Sequence, residues 1–201
     1  RAEGERVMGR FVEDVRTVMW RDWLVLKRRL GRFIFSRMIT PILYMLAFGV
    51  GLGRAVQISG GSYLDFVVPG IIALNSMNIS FNSVGSPLNM AKLYHKTLEE
   101  YLIAPISTPA FLCGKILAGA VRGMISSLII VALAFGFGAK LVLSPLFFAL
   151  LVLNCLVFAA LGAVAALWMK SHEDMANFST YVLVPMSFLC GTFFRADHLP
   201  Q

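Results

Sequence analysis

Few side chains in this sequence have the type and spacing to do chemistry, and those that do favour docking and polar lining over bond making. Thr97 and Glu100, three apart, form a capping-box pair. The hydroxyl and the carboxylate each satisfy a free backbone N–H at a helix start. That helix must end by Pro105, because proline pushes the residue before it out of helical geometry. Leu98, Tyr101 and Leu102 then share one face, with Glu99 and Glu100 off it. A second group, Asn75, Asn78, Asn82, Ser86 and Asn89, recurs at spacings of 3, 4, 4 and 3, one stripe along a helix. An amide in hydrocarbon costs free energy unless paired, so the stripe must face protein or water. It reads either as interhelical hydrogen bonding, about 0.6 kcal/mol per bond on average, or as a wall of a translocation path or subunit interface. Lys115 and Arg122, seven apart, share a face of another apolar run. Isolated charges there cost at least about 3 kcal/mol unless paired or hydrated. Snorkelling to the membrane surface suits Lys115 better than Arg122, which lies about 10 Å further in by helical rise and is a buried-charge candidate.

Catalytic constellations are absent from the sequence. No GxxxxGK[ST] phosphate loop exists; the nearest pattern, Gly136, Gly138 and Lys140, lacks the spacing. There is no nucleophile elbow, paired carboxylate or zinc motif. Cys113, Cys155 and Cys190 form no CxxC pair and read as small side chains in or beside apolar runs, and His95, His172 and His198 fall in three separate loops. The chain is therefore expected to be non-catalytic, with no metal or cofactor of its own.

The elements that carry these residues are apolar. Hydrophobic residues make up 58% of the 201 and charged ones only 14%, against about 25% charged in soluble domains. The sequence predicts an all-α integral membrane protein in one transmembrane domain. Residues 7–30 carry apolar residues at spacings of three and four, with Trp20 and Trp23 followed by Lys27, Arg28 and Arg29. This predicts an amphipathic helix in the membrane interface. A span needs about 20 apolar residues, and five runs qualify, at about 33–53, 66–89, 109–136, 146–169 and 175–194. Pro69-Gly70 signals a kink or a late helix start in the second. Ser/Thr-Pro pairs at Thr108-Pro109 and Ser144-Pro145, and Ser171 with Asp174, read as helix starts. Residues 90–107 form a charged loop between spans two and three.

Charge sets the orientation. The net charge is +7, with nine Lys/Arg against five Asp/Glu in residues 1–33. With the N-terminus in the cytoplasm, inner segments add Lys92, Lys96 and Lys170, and outer loops hold Arg54, Lys140 and Arg195. Twelve against three obeys the positive-inside rule and puts 90–107 in the cytoplasm. The basic balance fits an anionic leaflet; nucleic acid is not an expected partner.

Beside this reading stands a resemblance. The segments FVVPGIIALNSM, KTLEEYLIAPIS, FLCGKILAGAVRG and VLVPMSFLCGTFF with a following LP occur in that order. Together they resemble the membrane-spanning permease of type-two ABC exporters, the ABC-2 type transporter family, over nearly the whole chain. The resemblance implies six spans, pairing as a dimer (a homodimer is expected), and two copies of a separate cytoplasmic ATPase that bind ATP and Mg. It implies that Thr97, Leu98, Glu99, Glu100, Tyr101 and Leu102 form the coupling helix on which the ATPase docks, and that the N-terminal helix also touches it. It implies a multi-pass protein of the bacterial inner (plasma) membrane that moves an amphipathic drug, lipid, glycolipid or polysaccharide outward. Two departures stand out: Arg195 takes the place of a usual proline after GTFF, and the sixth span is expected beyond Gln201 in a longer parent chain. The rival reading is a non-transport scaffold that recruits a cytoplasmic partner through the same loop. A secondary carrier fits less well, because the spans hold no buried acid.

Overall fold

The computed structural model describes residues 2–47, 63–94, 106–139, 141 and 143–189. Thr97–Leu102, expected to form the coupling helix, the 54–62 segment and the chain beyond 189 lie outside these. The described residues are all-helical: α1 (Ala2–Arg28), α2 (Leu30–Met45), α3 (Tyr63–Leu93), α4 (Thr108–Gly136), α5 (Pro145–Trp168), α6 (His172–Phe178), a π turn (Ser179–Leu183) and α7 (Val184–Leu189). Arg29 alone separates α1 from α2, its backbone out of helical geometry at φ −117° and ψ 11°.

α3 starts at Tyr63, six residues ahead of Pro69, and runs through both Pro69 and Pro87. The late start considered for Pro69-Gly70 is thus set aside. At 31 residues α3 is about 46 Å long, more than a hydrocarbon core of about 30 Å. α4 and α5 are long and apolar enough to cross a membrane by themselves; the stripe of amides distinguishes α3 from them.

α4 ends on Gly138 at φ +82°, where the amide of Ala139 reaches the carbonyl of Ala134 and that of Gly138 reaches Phe135, both at 3.0 Å. This pair of hydrogen bonds closes the last turn and needs a left-handed residue, which glycine supplies. The glycines that looked like a fragment of a phosphate loop therefore include one that ends a helix. Pro185 accounts for the π turn just before α7: it has no N–H and its ring crowds the carbonyl four residues back, so the helix widens there.

α3 packs against both α4 and α5, which also touch each other. Asn75 meets Ser126 and Val84 faces Gly119, so α3 and α4 run antiparallel. Ser76 meets Asn154, Phe81 faces Gly162 and Asn89 meets Ala166, so α3 and α5 run parallel. Small residues set the spacing. A Cβ on Gly162 would sit 2.5 Å from the Phe81 carbonyl oxygen, and one on Gly123 would be 3.1 Å from the Cys155 Sγ. The α5 run Ala159, Gly162, Ala163, Ala165 and Ala166 is buried in this seam, the close packing that small residues permit between membrane helices. The opposite face of α5, Leu146, Leu150, Leu153, Val157, Val164 and Trp168, is exposed.

Candidate functional site

The expected docking helix falls outside the described residues, but the chain on its far side is visible. Ser107 is extended (φ −68°, ψ 132°) and serves as the N-cap of α4, one residue before the position expected from Thr108-Pro109. Thr108 is already helical and Pro109 follows in the first turn, where a missing N–H costs nothing. The backbone N–H of Ser107 donates to Asp14 Oδ2 of α1 at 3.3 Å. The end of the 90–107 segment is thus tied to the N-terminal helix.

Two turns along α4 the same pair of helices is clamped by charge. Lys115 Nζ donates to Asp22 Oδ1 at 2.7 Å and to Oδ2 at 3.0 Å. Arg122 Nη2 lies 3.9 Å from Asp22 Oδ2 and 3.4 Å from the Asp22 carbonyl, while Nη1 donates to the Ser83 carbonyl of α3 at 3.4 Å. The three side chains are only 13–20% exposed. Lys115 therefore does not snorkel alone, as its position suggested; α1 brings it a carboxylate. The reason is steric. Gly114, the neighbour of Lys115, leaves room for α1, because a Cβ there would come within 2.8 Å of Val18 Cβ. Arg122 spreads its donors over α1 and α3, which joins three helices through one guanidinium.

Asp22 was not singled out from sequence, although a signal existed. It sits four residues from both Val18 and Leu26, the residues of α1 that are buried among those described, so it interrupts the row that packs on α4. An acid in the middle of an apolar row calls for a cation on the neighbouring helix. Of the other described apolar residues of α1, Phe11, Val15 and Met19 are half-buried, while Met8, Val12, Trp20, Trp23, Leu24 and Val25 are exposed.

The amide stripe divides. Asn75 Nδ2 donates across to Ser126 Oγ of α4 at 2.8 Å, and Asn89, fully buried, reaches the Ala166 carbonyl of α5 at 3.5 Å. Asn78 and Asn82 instead donate to carbonyls of their own helix, Leu74 and Asn78, each at 2.9 Å. Ser86 is half-buried on the same face. Asn75 and Asn78 line a cleft of about 390 Å³ between α2, α3 and α7, which Ser36, Thr40, Tyr44 and Ser187 also border. Two further polar links went unnoticed in the sequence. Asn154 donates to Ser76 Oγ at 2.7 Å, and Lys92 Nζ caps α5 by donating to the Leu167 and Met169 carbonyls at 2.6 and 3.2 Å. The second complements the negative end of that helix. Among the described residues no cluster of His, Cys, Asp and Glu could hold a metal.

Comparison with known proteins places this geometry in context. A family model described as "ABC-2 type transporter" matches residues 13–201. The chain is 32% identical over 164 residues to the inner membrane transport permease YadH of Escherichia coli K12, which covers 81% of this chain and 64% of that protein. It is 28% identical over 189 residues to Nodulation protein J of Rhizobium leguminosarum bv. viciae, covering 90% of this chain and 71% of that protein. Its counterpart in Rhizobium meliloti is 26% identical over 186 residues. The chain thus spans just under two thirds of the length of the E. coli permease. No solved structure matches.

Proposed function

The chain belongs to the ABC-2 type transporter family, and on that premise we propose that it is the membrane-spanning core of an export permease driven by a separate cytoplasmic ATPase. In this reading the N-terminus is cytoplasmic and α1 lies at the inner membrane surface. Five spans cross within this stretch and a sixth follows it. Two copies pair, each carrying one ATPase on the helix built by Thr97, Leu98, Glu99, Glu100, Tyr101 and Leu102. ATP and Mg sit on the partner, and the cargo is an amphipathic molecule moved outward.

One observation carries the reading: the return of the cytoplasmic loop and α4 are both fastened to α1, by Ser107 on Asp14 and by Lys115 on Asp22. A push on the loop is therefore delivered to α1 and α4 together, and Arg122 extends the linkage to α3 at the Ser83 carbonyl. Such mechanical continuity is what a permease without an ATP site of its own requires. The exposed apolar row of α5 fits contact with lipid.

The test uses the full-length protein. Purified gently from its own membrane, it should bring down an ATP-binding subunit whose turnover is vanadate-sensitive. Glu100→Lys should leave membrane insertion and yield unchanged while export into inverted vesicles falls at least tenfold. Normal export and normal ATPase stimulation in that variant would remove the coupling role. Recovery of a partner with no ATPase activity would favour a recruiting scaffold instead.

A further inference from the structure

Lys115 and Asp22 answer each other, and Arg122 is left over. The Asp22 carboxylate takes Lys115 Nζ on both oxygens, at 2.7 and 3.0 Å, and meets Arg122 Nη2 only at 3.9 Å. The hydrogen bonds of Arg122 to described residues go to the Ser83 and Asp22 carbonyls, both long at 3.4 Å, where a charge-assisted bond settles at about 2.7–2.9 Å. The helices around it bring no second acid to this level. α2 and α4 contain none, the acid of α3 is Asp65, 18 residues before Ser83, and the other acids of α1 begin eight residues back at Asp14, which accepts from Ser107. Beside Arg122 a slot of about 40 Å³ opens between α1 and α4. Arg122 and Asp22 form its polar wall and Met19, Leu26, Ala118 and Val121 its apolar one, and Trp23 is the only lining residue that is exposed. A water molecule claims about 30 Å³ of liquid, so the slot admits one oxygen of a larger ligand rather than a whole headgroup. Its depth follows from α3, about 46 Å long against a hydrocarbon core of about 30 Å. With the overhang of about 16 Å on the Lys92 side, Ser83, ten residues or about 15 Å before Leu93, comes level with the inner headgroups. Trp20 and Trp23 are exposed beside it, as interface tryptophans are.

We propose that Arg122 and the slot beside it bind the phosphate of an anionic phospholipid from the inner leaflet, one phosphate oxygen entering between α1 and α4. Two cations and one carboxylate leave the cluster with a surplus positive charge, and its side chains are only 13–20% exposed. A cation so far withdrawn from water is costly until an anion or water reaches it. The guanidinium presents its donors as a planar fork that matches phosphate oxygens. A lipid with net negative charge neutralises the surplus, whereas a zwitterionic lipid brings its own cation and leaves the sum unchanged. Free phosphate offers the same oxygens but no apolar body to lie against Met19, Val121 and Trp23. The assignment to the inner leaflet rests on the orientation proposed above; lipid binding itself does not need the ATPase.

The experiment is fluorescence quenching of Trp23 in the full-length protein, its other tryptophans replaced by phenylalanine, in phosphatidylcholine vesicles without the ATPase. Brominated phosphatidylglycerol should quench Trp23 with an apparent affinity at least fivefold above that of brominated phosphatidylcholine. Arg122→Gln should bring the two lipids to near equality, and Arg122→Lys, which keeps the charge but loses the fork, should retain about half of the preference. Lys27→Gln, in the exposed last turn of α1, should change it by less than about twofold. Val121→Met fills the slot with every charge in place and should also abolish the preference, which a general attraction of basic surface to anionic lipid would not do. Inorganic phosphate added to both faces should leave the quenching unchanged. An undiminished preference in Arg122→Gln, or in Val121→Met where Arg122→Gln fails to reconstitute, would overturn the assignment. Relief of quenching by inorganic phosphate would also overturn it and mark a site for the free ion. Absence of the preference leaves ATPase-driven export standing, whereas a preference kept in a protein that recruits no ATPase removes the export reading and keeps the site.

Discussion

At the scale of the residue, Asp22 does the most with the least sequence signal. It answers Lys115 at 2.7 Å and faces Arg122 at 3.9 Å, so one carboxylate serves two cations and the cluster keeps a net positive charge. Removing one partner from a mostly buried pair strands the other, whereas replacing both with apolar groups of similar size can be near neutral. Asp22→Ala should therefore lower stability by about 1–3 kcal/mol, read as thermal unfolding of the protein in nanodiscs. Asp22→Leu with Lys115→Met should recover most of that loss. A double variant no more stable than the single would show that the pairing contributes nothing. The asparagines teach a related point. Their spacing showed that they share a face, but not that Asn75 and Asn89 bond to neighbours while Asn78 and Asn82 turn back on their own helix. The spacing is a property of the helix; the choice of acceptor depends on which carbonyl or hydroxyl another helix brings within reach.

At the scale of the element, the helix starts were well marked. Ser144 and Ser171 cap α5 and α6 as their sequence context requires, accepting from Leu146 and Asp174. The start of α4 moved by one residue because Thr108 adopted helical geometry and left the capping position to Ser107. The seam between α3 and α5 depends on glycine in a way that substitution will expose. Gly162→Val places new atoms against the Phe81 carbonyl, with its Cβ at 2.5 Å. The cost expected for such overpacking is about 1–3 kcal/mol, and backbone as the obstacle puts it at the upper end. Gly31→Ala, where nothing lies within 4 Å, should instead stabilise by up to about 1 kcal/mol through helix propensity. Thermal unfolding of the two variants side by side checks this, and equal behaviour would contradict the close approach of α3 and α5.

At the scale of the whole molecule, the helix directions bear on the topology. α3 and α5 run parallel and α4 runs against them, the alternation required if these three helices cross the membrane in succession. Combined with the charge count, this predicts that Lys170, after α5, faces the cytoplasm and Leu143, before it, faces out. In a background with the native cysteines replaced by serine, Lys170→Cys should react with an impermeant maleimide only in inverted vesicles. Leu143→Cys should react only in right-side-out ones. The reverse pattern would invert the molecule and place the 90–107 loop outside, away from any cytoplasmic ATPase.

The sequence by itself determined the class of the protein, its family and the capped starts of α5 and α6, because composition, local caps and segment order depend on the chain alone. Apolar length and the short-range spacing of hydroxyls and acids need no partner to be read. Only the tertiary structure decided that the first helix is clamped to α4, that Arg122 bridges to α3, and that a polar-lined cleft opens beside Asn78. Each of these depends on two helices meeting at one register. That register is set by glycines whose missing side chains leave no periodic signal, so the polar groups they bring together cannot be paired from the sequence.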